Sequence, residues 1–522
     1  MSQQDQQRWD PQRDDASEAA SGDASEAGSG AGRPDPRRWW PLIVIALAQL
    51  MIVLDGTIVN IALPSMQSEL GMTDGDRQWA IIAYVLPFGG LLLLGGRISG
   101  LVGHRRTFLI SLVGFAAASA LGGAANGTGV LFGARALQGV FAAAMAPAAL
   151  SLLTLTFTDP KERGKAFGVY GAMGAAGSGV GLLAGGVLTE FLDWRWCLWV
   201  NVPIAALALL GLPYVRKDSG TGTWSDGLDI PGVLLSVSGL AALVYGLSQA
   251  ESRGWDDPLV LVLLFASVAL LVAFVAVEAR VRQPLLPLRV LRHRARGAAF
   301  LVSALMLAAL FGCFLFLSYY AQTVLGYSPV EAGLTIMVLV AGSLVGSMLI
   351  AGRLLSRVSV RALMVPGLLA MAAGLLILSF LEADSEHVLA LYLVPAQSLI
   401  GLGLGVVLTA ATSLATAEVG YADMGTASAA FNAGQQVGGA VGTALFNTVA
   451  TTAAAAYLRT HGAGSDSVTA GTVHGFGVGL LVATGIMLLA ALVATYLLRP
   501  RTGETRSGET RSGETRSRET PR

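Results

Sequence analysis

A lone carboxyl group and a lone guanidinium group lie within apolar stretches in the first third of this chain. Asp55 follows the run LIVIALAQLMIVL, and Arg135 lies within GVLFGARALQGVFAAAM. A charged side chain in hydrocarbon is costly unless it is paired or hydrated, so such residues usually serve a function. A carboxyl group in that position can bind and release a proton, which makes Asp55 a candidate proton carrier.

The two groups are expected at matching depth in a membrane. At 1.5 Å per residue, Asp55 lies about 22 Å along a helix that starts near residue 39. Arg135 lies about 9 Å along a helix that starts near residue 129 and runs the other way. In a hydrocarbon core about 30 Å thick, both are about 8 to 9 Å below the same face. We therefore expect an Asp55–Arg135 pair, with Gln138 on the same helix face as Arg135. There are two alternatives. The ion pair could be purely structural, or Asp55 could lie at the membrane–water interface.

Long apolar helices must position these groups. Hydrophobic residues are 53% of the 522-residue chain and charged residues 13%, against about a quarter charged in soluble domains. A membrane-crossing helix needs about 20 apolar residues. Because lipid cannot hydrogen-bond the backbone, only helices and closed barrels can span a membrane. The sequence predicts an all-α membrane protein with fourteen spans, at about 39–63, 78–98, 106–126, 129–152, 164–188, 196–215, 228–248, 258–277, 297–320, 330–352, 362–381, 388–414, 428–456 and 475–498.

Basic residues mark one side of the membrane. Most arginines and lysines fall in alternate connectors, whereas the other connectors hold only Arg77, Arg195, Arg253 and Arg459. The positive-inside rule then places both termini in the cytoplasm. The high Ala, Gly and Arg content is typical of some bacteria. Together with the apolar spans, it predicts a multi-pass protein of a bacterial plasma membrane that contacts the lipid bilayer.

An internal repeat divides the spans into two halves. The Gly-Arg connector that starts at Gly96 recurs at Gly352, an offset of 256, and the glycine series that starts at Gly177 recurs at Gly434, an offset of 257. Chance among 65 glycines is the alternative. Two six-helix halves with a midplane site are the architecture of one large class of transporters. The predicted organisation is a disordered tail (1–38), a first half (39–216), two inserted helices (217–280), a second half (281–498) and a disordered repeat tail (499–522).

Glycines and basic connector residues are candidates for packing and gating. Glycines at every fourth position form a stripe that allows close helix packing, and gating is a secondary inference for them. The candidates are Gly96, Arg97, Gly103, Arg105 and Arg106 in one connector, and Gly177, Gly181, Gly185 and Gly186 in the fifth span.

Six short motifs occur in the order typical of one family. They are LDGTIVNIALP from Leu54, the loop from Gly96 to Arg106, RALQG from Arg135, WRW from Trp194 with NVP from Asn201, GW at Gly254, and Q…GYSP…AG from Gln322. With these motifs, the chain resembles the major facilitator superfamily, and within it the drug:proton antiporters with fourteen spans. The resemblance covers about residues 39–498.

The resemblance implies a major facilitator fold and the export of small organic molecules, such as drugs or antibiotics, in exchange for protons. Asp55 and Arg135 are then the proton-coupling residues, and no cofactor is needed. Polar residues in the spans either line the substrate cavity or form interhelical hydrogen bonds: Asn60, Gln138, Asn432, Gln435 and Gln436. A metabolite exporter or facilitator of the same fold is the alternative.

Two positions depart from the family pattern. Gly100 stands where the signature loop usually has an acid, and Leu182 stands where the fifth-span motif usually has proline. The first removes a carboxylate that could lock the halves together. The second removes a bend, which bears on proton exchange more than on transport itself.

Other functional classes are poorly supported. The sequence lacks a Gly-x-x-x-x-Gly-Lys-[Ser/Thr] loop, so an ATP-driven pump is unsupported. The five histidines are scattered, which argues against a metal or catalytic cluster. A polytopic membrane enzyme is the remaining second class, but the spans hold one clear acid. We expect a monomeric protein that is not an enzyme and does not bind nucleic acid.

Overall fold

A computed structural model shows how the helices pack; it describes residues 39–215, 229–281, 284–383, 385–417, 419–462 and 464–498. Both predicted tails lie outside these residues. Within them the chain is helical and contains no β-strand. Fourteen helices are long and apolar enough to cross a membrane, which confirms the predicted number of spans.

The fourteen helices are numbered in chain order. In the first part of the chain they are α1 Trp40–Leu70, α2 Asp74–Val102, α3 His104–Gly123, α4 Thr128–Thr156, α5 Pro160–Phe191 and α6 Trp196–Tyr214. Next come α7 Ile230–Arg253 and α8 Pro258–Glu278. The last six are α9 Arg294–Tyr319, α10 Pro329–Leu344, α11 Val360–Ser379, α12 Val394–Ala415, α13 Tyr421–His461 and α14 Ser465–Leu497.

Several helices contain irregular turns. α6 consists of Trp196–Trp199, Asn201–Gly211 and a 3₁₀ turn. Three π-helical turns adjoin helices of the last six: Tyr320–Val324 after α9, Val345–Ala351 after α10 and Leu389–Leu393 before α12. Such turns tend to mark functional sites in helices.

The membrane helices extend further than their apolar runs. α1 continues to Leu70, seven residues beyond the predicted span, and ends where Gly71 adopts a φ of 65°. α13 starts at Tyr421 and ends at His461, and α14 starts ten residues before its predicted span. Hydropathy reports where lipid ends, whereas a helix continues until a capping residue stops it. The helix ends therefore differ from the predicted span ends.

The two glycine stripes pack in equivalent ways. The stripe of α5 lies against α1, where a Cβ on Gly177 would come within 2.9 Å of Val53 Cβ. The stripe of α13 lies against α9, where a Cβ on Gly438 would overlap the carbonyl of Ala304. Each half thus packs its fifth helix onto its first through glycines, as the repeat predicts.

Two helix seams join the halves, α2 with α13 and α5 with α10. We call the end of the bundle where α1 starts and α14 ends the proximal end. There Gly96 and Gly425 approach so closely that a Cβ on either would overlap the other's carbonyl. In the second seam a Cβ on Gly164 would lie 3.1 Å from the carbonyl oxygen of Gly352. The two repeated Gly-Arg connectors therefore both lie against the opposite half.

The inserted helices α7 and α8 pack mainly on each other and beside the α2–α13 seam. A Cβ on Gly90 of α2 would lie 3.5 Å from Val237 of α7. At the opposite, distal end, the indole of Trp255 donates to Thr448 Oγ1 of α13 at 2.7 Å. The inserted pair thus contacts both halves.

Candidate functional site

Asp55 and Arg135 form a buried ion pair in the first half. The Arg135 Nη1 donates to Asp55 Oδ2 at 2.6 Å. The side chain of Asp55 is fully buried and that of Arg135 is 2% exposed. Removing one partner of such a pair leaves a buried, uncompensated charge, at a cost of about 3–5 kcal/mol.

The second oxygen of Asp55 accepts two amide hydrogen bonds. Gln138 Nε2 donates to Oδ1 at 2.9 Å, and Asn201 Nδ2 donates to the same oxygen at 2.8 Å. Three donors from α4 and α6 therefore hold one carboxylate of α1. Hydrogen bonds as well as charge therefore hold this side chain in place.

Arg135 is fixed by groups other than Asp55 as well. Its Nε donates to the carbonyl of Ala80 at 3.2 Å, and Nη1 also donates to Gln138 Oε1 at 2.9 Å. The guanidinium lies over the ring of Tyr84, 4.4 Å from its centroid, where the aromatic face attracts a cation. The cation therefore keeps partners on α2 when the carboxylate is neutral.

Small residues allow the helices to approach closely enough for these contacts. On α4, a Cβ on Gly139 would overlap the carbonyl of Tyr84, so α2 and α4 can meet only because this residue is glycine. On α5, a Cβ on Gly181 would overlap Thr57 Oγ1 and lie 3.1 Å from the carbonyl oxygen of Leu54. The predicted glycine stripe thus packs on the turns of α1 that flank Asp55.

Gln138 also links the pair to α3. Its Nε2 donates to Ser119 Oγ at 2.7 Å in addition to Asp55. Gln138 is fully buried, so in this conformation it is an interhelical hydrogen bonder. With Ser119, the network connects α1, α2, α3, α4 and α6, five of the six helices of the first half.

Sequence reasoning did not assign a role to Asn201, Ser119 or Tyr84. Asn201 was part of a motif, and depth is the signal that could have found it. It lies five residues into α6, about 8 Å from the distal end, close to the depth expected for Arg135. Serine and tyrosine are common in membrane helices, and neither residue has such a signal.

The cavity candidates on α13 lie apart from the ion pair. Asn432 of α13 is half-buried and its Nδ2 donates to the carbonyl of Ser428 at 2.8 Å. Gln435 and Gln436 are half-buried on the same helix, and Gln435 Nε2 is buried without a hydrogen-bond acceptor. The side chain of Asn60 lies outside the described residues.

The connector residues between α2 and α3 lie at the proximal end. Gly103 joins the two helices with a φ of 102°, a conformation that favours glycine. Arg105 Nη2 donates to the carbonyl of Leu212 at 3.4 Å, Arg97 is half-buried, and Arg106 is exposed. Gly186 faces the second half, where a Cβ on this glycine would lie 3.5 Å from Val330.

A separate polar cluster closes the distal end of the first half. Glu69 at the end of α1 accepts from Arg195 Nη1 at 2.5 Å and from Trp194 Nε1 at 2.6 Å. The hydrogen bond from Arg195, followed by that from Trp194, lowers the pKa of Glu69. Glu69 is half exposed, so solvent screens this contact and its role is to position the connector.

The site has the chemistry of proton binding. A carboxylate with three polar donors and a fixed counter-charge can exchange a proton if the surrounding helices move. Among the described residues there is no group of three or more metal-ligating side chains. The ion pair is buried from solvent in this conformation, so any proton exchange at Asp55 would require a conformational change.

Comparisons with known proteins identify the fold and its relatives. The family model described as Major Facilitator Superfamily matches residues 45–443. The puromycin resistance protein pur8 of Streptomyces alboniger is 56% identical over 469 residues, covering 90% of this chain and 93% of that protein. The cephamycin export protein CmcT of Amycolatopsis lactamdurans is 38% identical over 410 residues, covering 78% and 84%. The crystal structure of the human organic anion transporter MFSD10 matches with a TM-score of 0.62 at 17% identity, covering 88% of this chain and all of that one.

Proposed function

Because this chain belongs to the major facilitator superfamily, it is a membrane transporter and not an enzyme, and we propose that it exports an antibiotic-like small molecule in exchange for protons at Asp55. The relatives support the export of antibiotics, because their names describe antibiotic resistance and export. The observation that carries proton exchange is the fully buried carboxylate of Asp55, held by Arg135, Gln138 and Asn201.

Protonation of Asp55 would loosen α1 within the first half. The neutral carboxyl group no longer attracts Arg135, which retains the Ala80 carbonyl and the Tyr84 ring. The donors of Gln138 and Asn201 also bind a neutral acid less strongly than a carboxylate. Proton binding therefore weakens the hydrogen bonds that tie α1 to α4 and α6.

The helix α5 offers a route from α1 to the second half. One face of α5 carries Gly177, Gly181 and Gly185 and packs on α1. Another face carries Gly168 and Gly179, which pack on Ser347 and Val340 in the α10 region. A shift of α1 against α5 would thus reach the interface at which alternating access requires the halves to rock.

The proximal end is closed in this structure. Besides the glycine contacts, Ser151 Oγ of α4 lies 3.4 Å from Ser428 Oγ of α13. A Cβ on Gly171 of α5 would lie 2.6 Å from Thr409 Oγ1 of α12. We propose that this end faces the cytoplasm of a bacterial plasma membrane, so the structure corresponds to a state closed to the cytoplasm.

Puromycin is the first substrate to test, since the relative that is 56% identical is a puromycin resistance protein. The experiment compares puromycin susceptibility and metabolite export in a sensitive bacterium with and without the gene. We expect resistance and lower cellular accumulation of puromycin, both abolished by a protonophore. Unchanged antibiotic susceptibility together with secretion of a cellular metabolite would instead support the alternative, a metabolite exporter.

The positions of the acidic residues in the second half bear on which substrate charge the cavity can accept. A cation in a low-dielectric cavity needs a counter-charge. Glu331 caps the distal start of α10, and Asp423 pairs with Arg289 at the proximal start of α13. Within the described spans of the second half the helix interiors carry no acid, so we propose that neutral or zwitterionic compounds are preferred over dications.

A further inference from the structure

A pair of buried acids lies at the proximal end of the inserted helices. Asp229 immediately precedes α7 and is 7% exposed, and Glu278 is the last residue of α8 and is 3% exposed. Both lie far along the chain from Asp55, and neither has a role in the proposed export mechanism. Within the described part of the chain neither acid pairs with a cation, which is unusual because a buried charge is costly unless it is paired.

One oxygen of each acid has a defined backbone donor. Asp229 Oδ1 accepts from the Gly232 N–H at 2.9 Å and thereby caps α7. Glu278 Oε2 accepts from the Leu286 N–H at 3.0 Å and thereby holds the segment that leads to the second half. These two bonds fix the orientation of both carboxyl groups.

The other two oxygens face each other and lack a donor. Asp229 Oδ2 and Glu278 Oε1 are both buried without a hydrogen-bond partner. Both lie beside Gly232, with Glu278 Oε1 only 2.7 Å from the position of a Cβ on that glycine. The side chains are within hydrogen-bonding reach of each other. Two ionised carboxylates accept but cannot donate, so this arrangement is repulsive unless a proton lies between them.

Neighbouring charges do not relieve the repulsion. Among the described side chains, the charged groups at this end of the neighbouring elements are Arg97 of α2, Arg280 after α8, Arg289 of the short helix Leu288–Arg292, and Asp423 of α13. Arg280 is exposed, and Arg289 donates to Asp423 at 2.9 Å. None of these groups donates to the two facing oxygens, since both oxygens are without a partner.

A proton fits the pair better than a metal ion does. Ca²⁺ takes six to eight oxygen ligands and Mg²⁺ takes six, whereas this site offers two free oxygens. No third metal-ligating side chain joins them within the described residues. A shared proton, by contrast, needs only two facing oxygens.

We propose that Asp229 and Glu278 form a second proton-binding site, in which one shared proton joins the start of α7 to the end of α8. The proton also keeps Glu278 in place to hold the backbone of Leu286, so the site ties the inserted helices to the chain that enters the second half. Because the folded protein holds a proton that free aspartate and glutamate side chains release at about pH 4, this stabilisation is present at low pH and is lost as the pH rises.

Infrared spectroscopy of the full-length protein in lipid tests the site directly. A protonated carboxyl group has a C=O stretching band that an ionised carboxylate lacks. We expect wild-type protein and the control Asp55→Asn to show this band at about pH 6 and to lose it on titration to high pH. Glu278→Gln and Asp229→Asn, each made in the Asp55→Asn protein, should lose it, because each variant supplies an amide donor and removes the shared proton.

The titration of the Asp55→Asn protein needs no change at the site itself, so it remains decisive if the site variants fold poorly. A titratable band in that protein that is absent from either site variant supports the proposal. The absence of such a band from the Asp55→Asn protein, or its persistence when Glu278→Gln is added to that protein, would overturn it. Neither outcome depends on transport, so the result is independent of the proposed function.

Discussion

At the residue scale, the central feature is one carboxylate with three side-chain donors and one guanidinium with several acceptors. The two side chains differ in the partners that each retains when the other is lost. In the described part of the chain Asp55 has Arg135 as its one counter-charge, whereas Arg135 also contacts the Ala80 carbonyl and the Tyr84 ring. Loss of the cation is therefore expected to be more harmful than loss of the anion.

Arg135→Ala should destabilise the protein by about 3–5 kcal/mol, because it leaves the Asp55 carboxylate buried without a counter-charge. Thermal unfolding in detergent measures the effect. The matched control is Arg135→Ala combined with Asp55→Asn, which removes the unpaired charge and should recover part of the loss. A double variant that is no more stable than Arg135→Ala would contradict this account of the pair.

Asn201→Ala should destabilise the protein. The variant removes one of the two amide donors of Asp55 Oδ1, and a hydrogen bond to a charged group contributes about 1.5–3 kcal/mol. The link between α6 and α1 is then weaker, so the variant should unfold more readily than wild-type protein. Thermal unfolding in detergent provides the test, with Asn447→Ala on α13 as the control. Equal stability of the two variants would show that Asn201 does not hold Asp55 in place.

The sequence could predict the pair but not its surroundings. Asp55 and Arg135 are detectable because charges are rare in apolar runs and because depth can be counted along a helix. Which faces of α2, α3 and α6 meet them depends on packing. For example, Tyr84 reaches the guanidinium because Gly139 lets α4 approach α2, a contact that no spacing along one helix reveals.

At the element scale, glycines determine where helices meet and where they can separate. The predicted stripes of α5 and α13 both lie at helix contacts. Helix ends were less predictable, since α1 and α13 continue past their apolar runs until a glycine ends each of them. Hydropathy measures lipid contact, whereas capping determines helix length.

Gly96→Val should prevent closure of the proximal end, because its side chain would collide with the backbone of Gly425 across the α2–α13 seam. Cysteines at Ser151 and Ser428, whose hydroxyl oxygens are 3.4 Å apart, report closure by disulfide cross-linking. We expect efficient cross-linking in the otherwise unchanged protein and strongly reduced cross-linking with Gly96→Val. Gly133→Val on α4 is the control, since nothing lies within 4 Å of its Cβ position. Equal cross-linking in both variants would mean that Gly96 does not control this end.

At the scale of the whole molecule, composition and repeats determine most of what can be predicted. The number of spans and the transporter fold were predicted from apolar runs, from the 256-residue offset and from the resemblance to the family. The position of the inserted helices was not, because nothing in their sequence indicates that they pack beside the α2–α13 seam.

The orientation in the membrane is a prediction from charge. A reporter that is active only in the cytoplasm should work when fused after Arg499 or within residues 280–296, and should fail near residues 382–387. The first position lies in the basic tail that follows the last span and the second lies in a basic connector, whereas residues 382–387 contain no arginine or lysine. An active reporter near residues 382–387 would overturn the fourteen-span topology in the membrane.

The most direct test of proton exchange at Asp55 is uphill transport by purified Asp55→Asn protein in proteoliposomes. Asparagine keeps the shape of the side chain but cannot titrate. With an imposed pH gradient and labelled puromycin, wild-type protein should concentrate the substrate. The Asp55→Asn protein should insert and bind substrate but carry it only down its gradient. Concentration of substrate by Asp55→Asn that occurs only in the presence of the pH gradient would show that another residue carries the proton.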